Sequence, residues 1–114
     1  MSTTVALVIP ADTGQPVYLV NLDDENHLED VRALIGGADV YVESLNAGTH
    51  IGLVDEDGKM KGLPVNRRAS YLLQDAALGQ MLVGDAVIVG PVKGEDWTDA
   101  PRGVIELALQ LEPA

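Results

Sequence analysis

The sequence contains no cysteine and no phenylalanine, and three tyrosines and one tryptophan make up its aromatic content of 4%. The lack of cysteine excludes disulfides, thiolate nucleophiles and zinc sites built on sulfur. Long apolar runs are also missing, since none approaches the ~20 residues that span a membrane. The first four residues carry no basic side chain, so we expect no signal peptide, no membrane partner and a cytoplasmic location.

Basic residues are scarce as well: seven lysines and arginines stand against 18 acids, which gives a net charge of -11. This charge repels phosphates and anionic lipids, so direct nucleic-acid binding is disfavoured. The imbalance lies in one half of the chain. Residues 1–57 hold 11 acids and one base, whereas residues 58–114 hold seven acids and six bases. We therefore expect an acidic face rather than uniform acidity.

Apolar residues form 46% of the 114 residues, which is enough for one domain with an aliphatic core. We predict a single α+β domain over residues 1–114, with an antiparallel or mixed sheet of five to six strands packed against two helices. Alternation of apolar and polar side chains predicts strands at 3–10, 17–20, 39–45, 50–54, 60–63 and 85–92.

Apolar side chains at 3.6-residue spacing predict helices over 23–36 and 67–78. Either Asp23 or Asp24 is the expected cap of the first helix, and Asn66 is the expected cap of the second. The acids near the start of the first helix suit the positive end of its dipole.

Three further predictions concern a turn, the single tryptophan and the tail. Asp57-Gly58 is typical of a two-residue hairpin turn, which would join the fourth and fifth strands. Trp97 is placed in a loop. The tail is ambiguous: strict alternation from Glu106 to Glu112 favours a strand, whereas the segment leading into Pro101 favours a helix over about 101–109, which we prefer.

Residues 54–69 read VDEDGKMKGLPVNRRA, and their most specific part is Gly-Leu-Pro-x-Asn-x-x-Ala at 62–69. An ALVIP first strand precedes this segment, and a Gly-Asp-x-x-aliphatic-x-Gly strand follows it. The sequence resembles the domain of unknown function 3846 family, small proteins common in actinobacteria and in their phages and plasmids. The resemblance covers residues 4–92 and leaves a tail at 93–114. It implies a mobile-element accessory protein, with no established activity and no catalytic residues.

Catalytic and metal-binding patterns do not emerge. His27 and His50 belong to no recognisable catalytic set, and we predict that both are surface residues. Asp55-x-Asp57-Gly58 imitates the start of an EF-hand loop, but that loop needs glycine at position six and glutamate at position twelve. We therefore predict a protein that is not an enzyme and that uses no cofactor or metal.

The first functional hypothesis is an interaction protein that binds a host protein through an acidic face. The predicted face consists of Asp23, Asp24, Glu25, Glu29, Asp30, Asp55, Glu56, Asp57 and Trp97. Trp97 is either a cover over the core or part of this face. The oligomeric state stays open.

The alternative hypothesis is a domain that binds a small anionic ligand, such as a nucleotide or a phosphate metabolite, at the start of the second helix. Its residues are Asn66, Arg67, Arg68 and Tyr71. The two arginines oppose the helix dipole there. They therefore require either nearby acids, such as the segment 55–57, or a bound anion.

Overall fold

An antiparallel sheet with helices on both faces forms the fold. The structure, a computed structural model, describes residues 2–111. Its strands are β1 (Thr3–Ile9), β2 (Tyr18–Asp23), β3 (Val42–Asn46), β4 (Ile51–Asp55), β5 (Ala86–Lys93) and β6 (Asp96–Thr98). Its helices are α1 (His27–Ile35), α2 (Arg67–Leu72), α3 (Gln74–Ala77) and α4 (Arg102–Gln110). The predicted α+β class and strand number are confirmed.

The strands are ordered β2-β1-β5-β4-β3, and each neighbouring pair is antiparallel. The central strand is β5, and its neighbour β1 comes from a distant part of the sequence, with Leu7 paired with Ile88. The short strand β6 folds back onto the last residues of β5. The position of β6 corrects one prediction, because Trp97 lies in this strand and not in a loop.

The sheet is covered on both faces, which explains the nearly continuous apolar runs of its central strands. Leu7 and Ile9 point to the face covered by α2, α3 and α4, while Ala6 and Val8 point to the face covered by α1. Period-two alternation along β1 thus divides its side chains between two cores. Both cores are aliphatic, as the scarcity of aromatic residues requires.

The first helix begins later than its sequence pattern predicts. Asp23 still belongs to β2, where its backbone pairs with Thr3, and α1 starts only at His27. Asn26 occupies the N-cap position without a capping hydrogen bond from its side chain. The prediction that Asp23 or Asp24 caps the helix is therefore wrong, because strand pairing extends three residues beyond the expected strand end at residue 20.

The predicted hairpin at Asp57-Gly58 does not form. Residues 56–62 follow one another in successive turns instead, and no strand occupies 60–63 in the described chain. The backbone N–H of Gly58 donates to the Asp55 carbonyl, and Gly58 lacks the positive φ that a type I′ turn needs. Local hydrogen bonds to Asp55 thus replace the ladder that a hairpin requires.

The second predicted helix is divided into α2 and α3 at Leu73. This residue is fully buried against Gly52 of β4, and its φ of -116° departs from the helical value. The tail is helical, as we preferred, and forms α4 over Arg102–Gln110. The strand alternative reached Glu112, which lies outside the described residues.

Candidate functional site

The predicted acidic face is split between two ends of the sheet. Asp23 ends β2, whereas Asp55 ends β4, which runs in the opposite direction. The registers separate them by about seven residues along the strands and by three strand spacings, roughly 23 Å and 14 Å. Asp55, Glu56 and Asp57 therefore do not share one surface with the acids that precede and open α1.

Asp55 is not a surface residue at all. Its carboxylate is buried, accepts a 2.7 Å hydrogen bond from Lys61 Nζ and accepts another from the Asp57 backbone N–H at 2.8 Å. Burial raises the pKa of Asp55, but these hydrogen bonds and the lysine charge outweigh it and hold the pKa below the usual 3.8. Asp55 thus organises the turns at 56–62 and is removed from the predicted face.

Replacing Lys61 by methionine is expected to destabilise the protein at neutral pH, because it leaves the buried Asp55 carboxylate without its cation. The lowered pKa of Asp55 stabilises the fold above pH 3.8, and this contribution is lost as the pH falls through the folded-state value. The hydrogen bond to Asp55 raises the pKa of Lys61 above 10.5, so its contribution is present below that pH and lost on further alkalinisation. Urea unfolding at neutral pH and in acid measures the difference in free energy of unfolding between the wild-type protein and Lys61→Met.

Lys93→Met is the matched control, because Lys93 is exposed at the opposite end of the sheet. The gap in unfolding free energy between the wild-type protein and Lys61→Met should shrink in acid. The gap for Lys93→Met should stay small at every pH. An equal pH dependence for both variants would contradict the role given to the Asp55–Lys61 pair.

The acids near α1 gain neighbours that sequence reasoning missed. Because β5 is antiparallel to β1, it ends beside the end of β2, and the β5–β6 turn brings Glu95 and Asp96 there. Thr4 links the two segments: its hydroxyl donates to Asp24 Oδ1 at 2.6 Å and lies 3.4 Å from the Trp97 carbonyl. We call this surface the acidic end; it consists of Asp23, Asp24, Glu25, Glu29, Asp30, Glu95 and Asp96.

Three carboxylates of the acidic end also hold it in shape, two of them through hydrogen bonds from its own backbone. Asp30 Oδ2 accepts from the Asp23 N–H at 2.9 Å, and Asp23 Oδ1 accepts from the Glu25 N–H at 3.0 Å. Asp24 is bound by the Thr4 hydroxyl described above. The carboxylates of Glu25, Glu29, Glu95 and Asp96, by contrast, belong to exposed residues and face solvent.

Trp97 is a cover over the core rather than an exposed contact. It is half-buried and packs against the apolar cluster under α1. Its ring and the His27 ring form a T-shaped contact with a centroid distance of 4.6 Å and an interplanar angle of 62°. The His27 Nδ1–H donates to the Asp24 carbonyl at 3.1 Å, which fixes the loop before α1. Trp97 and His27 thus connect the acidic end to the apolar cluster under α1.

The Asn66 side chain, assigned to the alternative ligand site, is used entirely inside the fold. It is fully buried, and its Oδ1 accepts from the Ala69 N–H at 2.9 Å, as the predicted cap requires. Its Nδ2 donates to the carbonyls of Ile9 and Gly84, both at 2.9 Å. Asn66 therefore joins α2 to β1 and to Gly84, two residues before β5, and it does not face a ligand.

The remaining residues of the alternative site meet only in part. Arg68 is buried and its Nη2 donates to the carbonyls of Pro10 and Asp12 at 2.7 and 3.1 Å. Arg67 and Tyr71 are exposed and line, with Arg68, a surface hollow of about 320 Å³. Of the acids expected to neutralise these arginines, Asp55 pairs with Lys61 instead.

His50 corrects another expectation, since it is buried and not a surface residue. Its Nε2 lies 2.7 Å from the Leu72 carbonyl, which can only accept, so the proton is on Nε2. Its Nδ1 lies 2.8 Å from the Thr49 hydroxyl. His50 thus ties the start of β4 to the end of α2. The sequence signal for burial was weak, because His50 opens the predicted strand 50–54 and stands beside a polar threonine.

Residues 2–111 hold neither a metal-binding cluster nor a membrane-spanning helix. Within residues 2–111, no three histidine or acidic side chains lie close enough to hold a metal ion together. None of the helices found there has the length and apolar character needed to cross a membrane.

A model of the family described as Domain of unknown function (DUF3846) matches residues 4–112. The chain belongs to this family. The match confirms the resemblance drawn from the segment 54–69 and its context, and it runs through the tail that the resemblance left out. Within the family match lie both the acidic end and the residues around Asn66.

No curated protein matches the chain. Among solved structures, this family member is similar to a crystal structure of the small RNA methyltransferase HEN1, with a TM-score of 0.65 and 18% sequence identity. The similarity covers 94% of this chain but only 16% of the methyltransferase chain. At this level of identity the likeness shows a shared fold and carries no activity.

Proposed function

We propose that the protein is a non-enzymatic accessory protein of a phage or other mobile element, and that it binds a basic surface of a host protein through its acidic end. The observation that carries the proposal is the meeting of two acidic segments, distant in sequence, around the β2–α1 loop and the β5–β6 turn. The family resemblance, to proteins common in actinobacteria and their mobile elements, supports the mobile-element context.

The charge distribution supports binding to a basic partner. Four exposed acids, Glu25, Glu29, Glu95 and Asp96, lie at this end of the sheet. The nearest basic residues of the same segments are Arg32, whose Nε donates to the Val40 carbonyl, and Lys93. Clustered charge of one sign accelerates encounter with a partner of opposite charge and disfavours acidic partners.

The acidic end is also held in shape before any partner binds. Asp23, Asp24 and Asp30 fix the loop through hydrogen bonds, and Trp97 with His27 packs beneath it. A surface that is already ordered loses less conformational freedom on association. The exposed carboxylates are therefore presented on a fixed scaffold.

Reversing charge at the acidic end is expected to abolish partner capture. The test variant is Glu25→Lys/Glu29→Lys/Asp96→Lys, which spares the carboxylates that hold the loop. The immobilised full-length protein captures proteins from a lysate of the organism that encodes it, and the captured proteins are quantified by mass spectrometry. Raising salt from about 50 mM to about 500 mM should weaken the same complex, because exposed charges are screened.

The matched control is Asp39→Lys/Asp75→Lys/Glu106→Lys, which changes the net charge of -11 by the same amount at exposed acids elsewhere. The control should retain the partner that the test variant loses. A partner that both triple variants lose equally would indicate an effect of total charge. A partner retained by both, or no salt-sensitive partner at all, would refute the proposed surface.

A further inference from the structure

A second surface lies at the other end of the sheet, between the turns at 56–62 and α3. It is a hollow of about 360 Å³, which we call the Met60–Leu78 hollow after the two large apolar side chains on its rim. Its floor is apolar and includes Leu45, Val54 and Leu82. These floor residues belong to the core face covered by α2, α3 and α4, so the hollow opens directly onto the main core.

The two rim side chains are almost fully exposed and contribute little to the packing of the fold. Met60 is 90% exposed and Leu78 is 86% exposed. Scattered apolar residues are ordinary on protein surfaces, but a pair that borders one hollow is typical of a binding surface. Methionine in particular adapts its shape to different partners, because its side chain is unbranched and flexible.

Leu78 has a backbone conformation that its own side chain disfavours. Its φ of +52° and ψ of +42° are left-handed, and it is the single non-glycine residue of the described chain with a positive φ. A helix end of this kind is normally occupied by glycine, and here Gly79 follows one position later. A branched side chain at a strained and exposed position is typical of a residue with a functional role.

The hollow has an acidic side and a polar side. Glu43 and Glu56 line it as exposed acids, while the charge of Asp55 at its base is balanced by Lys61. On the other side, Lys59 Nζ donates to Gln80 Oε1 at 3.0 Å, and among the described residues it forms no ion pair with either glutamate. The acidic side is therefore available to a cation brought by a partner.

We propose that the Met60–Leu78 hollow binds a short segment of a partner protein in which an apolar side chain stands next to a lysine or arginine. The apolar side chain enters the hollow between Met60 and Leu78, and the cation lies against Glu43 and Glu56. The surface is separate from the acidic end, so it is a second contact and does not depend on the first.

The experiment selects binders from a phage-displayed library of random peptides of about twelve residues, with the full-length protein immobilised. The selected peptides are then synthesised with a fluorophore, and their affinities are measured by fluorescence polarisation. Peptides with an aliphatic residue beside lysine or arginine are expected to be enriched. Their affinity should fall about tenfold or more for Met60→Ser and for Leu78→Gly. Glu43→Gln/Glu56→Gln should weaken binding and reduce its salt dependence.

Leu78→Gly separates binding from folding, because glycine relieves the left-handed strain while it removes the side chain. Its melting temperature should equal or exceed that of the wild-type protein. Leu109→Ser is the matched control, since Leu109 is an exposed leucine on α4 outside the hollow, and it should leave peptide affinity unchanged.

Three outcomes would overturn this proposal: the absence of enriched peptides, enrichment of acidic peptides, or equal affinity for the wild-type protein, Met60→Ser and Leu78→Gly. Peptides that lose affinity only for Glu25→Lys/Glu29→Lys/Asp96→Lys would assign binding to the acidic end instead. The two surfaces are thus tested by different variants, and failure of one leaves the result for the other intact.

Discussion

Asn66→Ala is expected to lower the free energy of unfolding by about 3–5 kcal/mol, because it removes a cap and leaves two buried carbonyls without their donor. The lost bonds are those to the Ala69 N–H and to the carbonyls of Ile9 and Gly84. Each bond joins a different part of the fold, so the local structure cannot replace them together. Urea unfolding followed by the fluorescence of Trp97 and by circular dichroism measures the change.

Asn26→Ala is the matched control, because Asn26 occupies the N-cap position of α1 but makes no capping hydrogen bond. Its side chain makes only an exposed 3.3 Å contact with Asp23, so its loss should cost less than about 0.5 kcal/mol. Asn66→Asp keeps the capping acceptor but loses both donors, and it should be at least as harmful as Asn66→Ala. A mild effect of Asn66→Asp would show that capping, and not the carbonyl bonds, is what Asn66 contributes.

Gly90→Ala is expected to destabilise the protein by about 2–3 kcal/mol, since the added methyl group collides with backbone that cannot move freely. A Cβ at this position would overlap the Asp99 carbonyl oxygen and the Thr98 hydroxyl. Gly90 lies where β5 meets β6, at the irregularity between Gly90 and Val92. Relief of the collision would separate β6 from β5, and thermal unfolding should reveal the loss.

Gly103→Ala is expected to have the opposite effect to Gly90→Ala and to stabilise the protein. Gly103 lies inside α4, and nothing stands within 4 Å of the place its Cβ would occupy. Alanine there should stabilise the protein by about 0.5–1 kcal/mol, because it favours the helix and restricts the unfolded chain. If Gly90→Ala were as harmless as Gly103→Ala, the close approach of β6 to Gly90 would not be what constrains that position.

The elements that sequence reasoning predicted well are those whose signals are local. Strands β1 and β5 are buried on both faces, and their apolar runs are visible in the sequence. The cap at Asn66 depends on residues three positions apart, so the sequence contains it complete. The helical tail also follows from nearby residues, because Pro101 precedes the first turn and fixes an extended entry.

The elements that sequence reasoning missed depend on distant partners. The Asp57-Gly58 pair is a hairpin signal, but the buried Asp55 carboxylate binds Lys61 and the Asp57 N–H and winds the chain into turns. The acidic end joins the β2–α1 loop to the β5–β6 turn, and only the strand order reveals that they are neighbours. The inward positions of His50 and Arg68 likewise follow from carbonyls far along the chain.

The pairing of β1 with β5 also determines how the chain must fold. Leu7 meets Ile88, a partner 81 positions later, so the central pair of the sheet closes a very long loop. Such closure is entropically costly and slow, and proteins dominated by distant pairings fold in milliseconds to seconds rather than microseconds. A nascent chain that ends before β5 leaves β1 and β4 with open edges, so the sheet is completed only after β5 has been synthesised. Until then the open edges of β1 and β4 are available to pair wrongly with strands of other chains.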